Sequence, residues 1–279
     1  TRKEGNYFFP LYLSPDPDRQ TLFDHDGDYP FDNKKRRINL NKSFVTVFGE
    51  RLKLEFVTDA RGDLHRTFGP EDVFHYIYAI LHSFLYRERY AEQLKNDFPR
   101  LPLTTDVELF RQLVMRGVDL VALHLLEDDY EGAYWNRRNE PSPLKQPITR
   151  FVRGKNGTTV GAMSKNRAYD PEQKRITLDT SEIRDGSYFE FLENISLEDA
   201  RETWAFQVGG YQVLHKWMYD RRPQGAEPGR TLTEDELDHY QRVIVALYLT
   251  RKLMYDIDEI INEHGGFPLT GSSPEDADV

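Results

Sequence analysis

Between residues 204 and 218 the spacing of apolar side chains changes period, so this chain must supply both strand and helix. Trp204, Phe206 and Val208 alternate with Ala205 and Gln207, the period of a half-buried strand. Gly209-Gly210 interrupts the run, and from Tyr211 onward Val213, Leu214, Trp217 and Met218 fall on one helical face. The stretch reads as strand, glycine elbow, helix. Two readings of the elbow stand side by side. A bare helix N-terminus behind two glycines offers backbone N–H groups to an anion, with Lys216, Arg221 and Arg222 close by. Alternatively, the pair marks a tight turn that only glycine can adopt. The first reading makes Gly209, Gly210, Tyr211 and Lys216 candidate phosphate contacts.

The rest of the chain is mainly helical in pattern. Residues 42–53 predict a short helix with Phe44, Val45, Phe48 and Leu52 on one side. A stronger helix is expected from Pro70, where proline suits the first position and Glu71-Asp72 suit the positive end of the dipole. It is expected to run to Asn96, where Pro99 and Pro102 block continuation. Thr105 and Glu108 form a capping-box pattern for a second long helix to about Glu127, in which Gly117 is a weak point. The short connection predicts that these two helices pack antiparallel. His75 and His82 are two turns apart, too far for joint metal ligation, and are read as core or interface histidines. Ser196 is expected to cap a helix over 196–204, and Thr233 with Glu236 to open the longest one, about 234–262. The run 5–13 predicts an extended segment on the core, and 270–279 a disordered acidic tail. Asp24, Asp26 and Asp28 form an acidic loop without the distal Glu of a calcium site.

After Tyr130 the character changes. Pro141, Pro143 and Pro147 punctuate a linker, and residues 148–152, 158–163 and 174–179 read as short strands. The net charge of the chain is −10, yet residues 137–184 carry 11 Lys/Arg against 5 Asp/Glu, a local net of +6. An acidic molecule can thus present a basic face of the kind DNA phosphates require. Arg150, Arg153, Lys155, Lys165, Arg167, Lys174 and Arg175 supply the charge. Asn156, Asn166 and Gln173 supply amides able to pair with adenine, although such residues are also common in turns. The run Lys34-Lys35-Arg36-Arg37 is read as exposed. There is no Cys, which excludes disulfides, thiolate metal sites and a cysteine nucleophile. No apolar run approaches the roughly 20 residues needed to span a bilayer. The chain begins at Thr1 and is expected to be cut from a longer one.

Several blocks together resemble one family. The first is Gly69-Pro70-Glu71-Asp72-Val73-Phe74-His75-Tyr76-Ile77-Tyr78-Ala79-Ile80-Leu81-His82-Ser83, continued by Tyr86-Arg87-Glu88-Arg89-Tyr90, Asp97-Phe98-Pro99-Arg100 and Pro102-Leu103. The second is Phe206-Gln207-Val208-Gly209-Gly210-Tyr211-Gln212-Val213 with Lys216-Trp217 and Asp220-Arg221. The third opens at His239-Tyr240-Gln241 and reaches Met254 and Ile257-Asp258. With the early run Asn6-Tyr7-Phe8-Phe9-Pro10-Leu11-Tyr12-Leu13, these blocks resemble the C-terminal specificity region of the Type ISP restriction–modification enzymes and related single-chain restriction enzymes.

The resemblance implies a target recognition domain that reads an asymmetric site in double-stranded DNA and positions it for adenine-N6 methylation. It implies a parent enzyme with nuclease, helicase-like ATPase and methyltransferase domains, which hold the S-adenosylmethionine, ATP and Mg²⁺. No cofactor is expected in this chain, and the expected partners are double-stranded DNA and the methyltransferase domain, in the cytoplasm and without a membrane. The sequence agrees in lacking an Asp/Asn-Pro-Pro-Tyr/Phe motif and a phosphate-binding Gly-Lys-Ser/Thr loop. The expected fold class is α+β, with long helices supporting a smaller basic β-rich lobe. Residues 1–269 are expected to form one domain: 1–132 mainly helical, 133–232 the β-rich lobe and elbow, 233–262 the long helix. The resemblance assigns no particular contact within 133–190. Two other readings are a protein-interaction scaffold using the acidic long helix, and a hydrolase using His75, Asp72 or Glu71.

Overall fold

The computed structural model describes residues 8–15, 29–130, 133, 135, 138–145, 148–152, 169–178, 187–191, 195–221 and 232–269. Its elements are mixed, as expected for an α+β chain. Helices α1 (Lys42–Leu52), α2 (Pro70–His82), α3 (Phe84–Arg89), α4 (Ala91–Leu94) and α5 (Val107–Leu125) come first, interleaved with the short strands β1 (Tyr12–Leu13), β2 (Arg37–Ile38), β3 (Glu55–Phe56) and β4 (Thr67–Phe68). Then come strands β5 (Thr149–Val152), β6 (Tyr169–Asp170), β7 (Arg175–Leu178) and β8 (Ser187–Phe191). Helix α6 (Leu197–Ala205), strands β9 (Gln207–Val208) and β10 (Tyr211–Gln212), helix α7 (Val213–Tyr219) and helix α8 (Glu234–Glu263) close the chain. Two compact units emerge, residues 1–118 with 254–279, and residues 119–253, so the division falls inside α5 and α8.

The first unit is built on an aromatic core. Phe48, Phe68, Tyr76 and Phe110 are fully buried. Phe48 meets Phe110 edge-on at 5.4 Å and Phe68 at 5.9 Å, the favourable offset geometry for ring quadrupoles. Gly117 on α5 has a packing role. A Cβ there would run into the backbone oxygen of His75, so α2 and α5 approach closely at this point. His75 itself is buried. One turn earlier on α2, Asp72 is fully buried and accepts N–H bonds from Gly62 (2.7 Å) and Gly69 (2.8 Å), facing Arg61 at 3.5 Å. It closes the 62–69 loop onto the start of α2. Glu71 accepts the Tyr12 hydroxyl.

Local capping explains where the helices stop. The single helix expected from Pro70 to Asn96 is instead three, α2 to α4. Ser83 sits between α2 and α3 in extended backbone, its hydroxyl accepts the Tyr86 N–H, and it donates to Asp258 at 2.5 Å. A serine that can cap competes with helix continuation. The cap of α5 is Asp106 rather than Thr105: its carboxylate accepts the N–H groups of Glu108 (2.8 Å) and Leu109 (3.1 Å), and His264 holds its other oxygen at 2.6 Å. The expected cap of α6 is present, Ser196 Oγ accepting from Asp199 N–H. So is the box opening α8, with Thr233 and Glu236 bonding reciprocally. Phe8 and Phe9 do not join the core; both are exposed, and Phe9 rests edge-on against Phe98.

In the second unit α8 supplies Leu237, Tyr240 and Ile244 to a core shared with Ile176, Leu214 and Met218. A second cluster gathers Leu123, Trp135, Leu144 and Val245. Arg251, buried on α8, pairs with Asp199 and Glu202 of α6, and Lys252 adds a 2.8 Å bond to Asp199. Among the described residues, no helix is long and apolar enough to cross a membrane.

Candidate nucleic-acid interface

Strands β5, β8, β7 and β6 form one antiparallel sheet in that order. Register places Arg150 of β5 and Arg175 of β7 on either side of Glu190 of β8. Directly opposed residues share a sheet face, so the three side chains form a row roughly 10 Å across, two strand spacings. Arg150 donates to one Glu190 oxygen at 2.5 Å and Arg175 to the other at 3.1 Å. The Arg150 hydrogen bond, with that of Arg175, holds the Glu190 carboxyl below the usual carboxylate range despite some desolvation. The row therefore carries a net charge of +1. The Arg150 side chain remains two-thirds exposed, within reach of a polyanion laid on this face.

Lys174 plays a different part. It adopts a left-handed backbone in the β6–β7 turn, and its ammonium donates to the backbone oxygen of Ile195 at 2.6 Å. Asp170 fixes the same turn by accepting the N–H groups of Glu172 and Gln173. Lys174 thus ties the sheet to the segment entering α6. Of the other residues in the basic stretch, Arg153, Lys155, Asn156, Lys165, Asn166 and Arg167, with the strand expected over 158–163, lie outside the described residues.

The glycine elbow is the main correction. Trp204 lies at the end of α6 rather than starting a strand, and Phe206 follows the helix outside any strand. Gly209 and Gly210 form the two-residue tip of a hairpin in which Val208 faces Tyr211 and Gln207 faces Gln212. Their φ values, +57° and +79°, are those of the mirror-image turn that suits the twist of a hairpin. The helix begins only at Val213, whose N–H is already bonded to the Phe206 oxygen, so the glycines do not expose a helix N-terminus to an anion. Lys216 is likewise engaged, its ammonium lying 2.6 Å and 2.5 Å from the Asp220 oxygens. Arg221 stacks on Trp217 at 3.6 Å. The corner expected to be a bare helix N-terminus is thus the tip of a two-stranded ribbon.

That ribbon is joined to the sheet. Tyr169 of the edge strand β6 stacks on Trp204 at 5.7 Å, and the Trp204 carbonyl accepts the Gln212 side-chain amide at 2.6 Å. Burial pushes the Tyr169 hydroxyl up to about 12, so the ring stays neutral at physiological pH. Ile176 of β7 and Leu214 of α7 share one apolar cluster, with Tyr169, Trp204 and Phe206 packed on it. The sequence pattern missed two residues that matter here: Glu190, whose role depends on pairing with positions 15 and 40 residues away, and Val208, which alternation assigned to a half-buried strand.

The sequence matches the family described as the Type ISP C-terminal specificity domain over residues 1–255. The chain belongs to this family. No curated protein matches significantly. Three solved structures are similar to it at low identity. One is a nuclease-deletion mutant of the Type ISP restriction–modification enzyme LlaGI with a DNA substrate mimic (20% identity, 67% of this chain and 13% of that one, TM-score 0.44). Another is a DrdV–DNA complex (21%, 84% and 21%, 0.47). The third is the ATP-dependent Type ISP enzyme LlaBIII bound to DNA (17%, 93% and 14%, 0.49). The chain thus spans only 13% to 21% of the length of these proteins.

Proposed function

We propose that this specificity domain recognises a defined sequence in double-stranded DNA and presents it to other domains of a restriction–modification enzyme for adenine-N6 methylation and cleavage. The observation that carries the reading is the family match, which covers nearly the whole chain and names a specificity function. The sheet gives it a physical basis. Arg150 and Arg175 stand two strands apart on one face, and the basic stretch 153–167 continues directly from β5. In this mechanism Lys and Arg side chains neutralise phosphates and fix the register of the duplex. A few Arg, Asn or Gln side chains from the turns, with Asn156, Asn166 and Arg167 as candidates, make paired hydrogen bonds to guanine or adenine in the major groove. S-adenosylmethionine, ATP and Mg²⁺ belong to other domains of the parent enzyme, and the methyltransferase domain is the protein partner.

A hydrolase built on Asp72 and His75 is not favoured by the geometry. Both are buried, and the Asp72 carboxylate holds the backbone of the adjoining loop. The test is a map of methylated adenines in the source genome with the gene intact and deleted. Loss of methylation at one asymmetric motif is expected; an unchanged map contradicts the reading.

A further inference from the structure

The sheet of the second unit has two unlike faces. Strand alternation sends Thr149 and Ile176 to the packed side, where both are fully buried, and their neighbours Arg150 and Arg175 to the outer side. Register extends the outer row across all four strands: Arg150 of β5, Glu190 of β8, Arg175 of β7 and Asp170 of β6. Two guanidiniums and two carboxylates sum to zero formal charge. The Arg150 side chain is 67% exposed, against 34% for Arg175 and 26% for Glu190, so Arg150 is the member most open to a ligand. It also lies on an edge strand, since only β8 pairs with β5 among the described residues. The β5–β8 margin is a two-stranded antiparallel ribbon, the width that the major groove of B-DNA admits.

This row is poorly built to clamp phosphates and better built to meet a neutral acceptor. A phosphate oxygen that reaches Arg150 also approaches the Glu190 carboxylate, and like charges repel. A base edge carries no net charge and meets no such penalty. The bond from Arg150 Nη2 to Glu190 at 2.5 Å orders the guanidinium before DNA arrives, and Arg175 holds the other carboxylate oxygen at 3.1 Å. Fixing a long side chain in advance removes part of the ordering cost of binding. A planar guanidinium can donate two parallel bonds, and guanine, with O6 and N7, is the base that offers two acceptors side by side in the major groove. Resting on the DNA-recognition reading above, we propose that Arg150 reads a guanine in the target site, and that Glu190, acting through it, withholds the row from phosphates so that the base edge is preferred.

The experiment uses the full-length protein carrying this domain. A pool of duplexes with a randomised core is selected for binding. Each base pair of the enriched site is then replaced in turn, with a scrambled duplex as reference. Wild type should lose about five-fold or more at each pair read by paired hydrogen bonds. Arg150→Ala should weaken binding to the enriched duplex by a similar factor and abolish the penalty at one G·C pair. It should keep the penalties elsewhere and leave the salt slope unchanged. Weakening uniform over all sequences, with a slope shallower by about 0.9, would make Arg150 a phosphate clamp and overturn the proposal. So would penalties identical to wild type at every position. Glu190→Gln should tighten the scrambled duplex more than the enriched one, shrinking the preference at that same G·C pair; equal tightening of both, or none, would overturn the part given to Glu190. Failure of the wild-type protein to enrich any sequence would remove the recognition reading and this one together, whereas an enriched site with no Arg150-dependent G·C pair would sink this one alone. Thermal unfolding of Arg150→Ala should stay close to wild type, since an exposed ion pair contributes little to stability.

Discussion

Glycine does opposite work in the two units. At position 117 it is needed for space: the His75 carbonyl occupies the volume a Cβ would take. At 209 and 210 it is needed for conformation, with positive φ and, among the described residues, nothing within 4 Å of where a Cβ would stand. The first unit is sealed by a buried aromatic cluster, whereas the second exposes a sheet face with charges and a ribbon with an aromatic ring at its tip. Substitutions in the first unit should therefore register as stability. Those on the exposed parts of the second should register as binding.

Four substitutions probe that contrast, in descending size. Phe48→Ala removes a ring that touches Phe68, Tyr76 and Phe110 and should lower unfolding free energy by about 4 kcal/mol in denaturant titration. A decrease under about 1 kcal/mol would mean the cluster is not the core of the unit. Gly117→Ala should cost about 3 kcal/mol, because the obstructing atom is backbone and the helices must separate. Near-neutrality would show that α2 and α5 do not meet closely at this point. Asp199→Asn should cost about 1.5 kcal/mol at neutral pH by weakening charge-assisted bonds from Lys252 and Arg251. Burial raises the Asp199 carboxyl, but the Lys252 and Ser196 hydrogen bonds and nearby cations outweigh it and lower it on balance. A depressed folded value means this stability is present above the ordinary carboxylate range and vanishes as pH falls through the folded value. The gap between wild type and variant should therefore close in acid. Glu190→Gln should leave unfolding almost unchanged but strengthen duplex binding a few-fold at low salt, because Arg150 and Arg175 no longer have a carboxylate to leave. Weaker binding would mean that Glu190 positions the arginines for DNA rather than restraining them.

The parts legible in the sequence are those whose causes are local. The box of Thr233 and Glu236 and the stripe from Leu237 to Ile261 marked α8 to within about a residue, and Ser196 marked α6. Pro70 marked the start of α2. The break at Ser83 was hidden because its partner Asp258 lies 175 residues away. The elbow was misread because Trp204 and Phe206 alternate with smaller residues at a helix end, where spacing over three positions cannot separate a strand from a fraying turn. The basic stretch was visible as composition. That Glu190 lies between Arg150 and Arg175, and that Lys174 is a brace, follow from strand register and turn closure, which the sequence does not display.

The most direct test of recognition by a basic sheet lobe is duplex affinity across a range of salt concentrations, on the methylated motif and on a scrambled duplex. Wild type should be compared with Arg153→Ala and Lys165→Ala. Each variant should bind the motif more weakly, with a salt slope shallower by about 0.9 for each phosphate no longer neutralised. Affinity and slope equal to wild type in both variants would contradict the account.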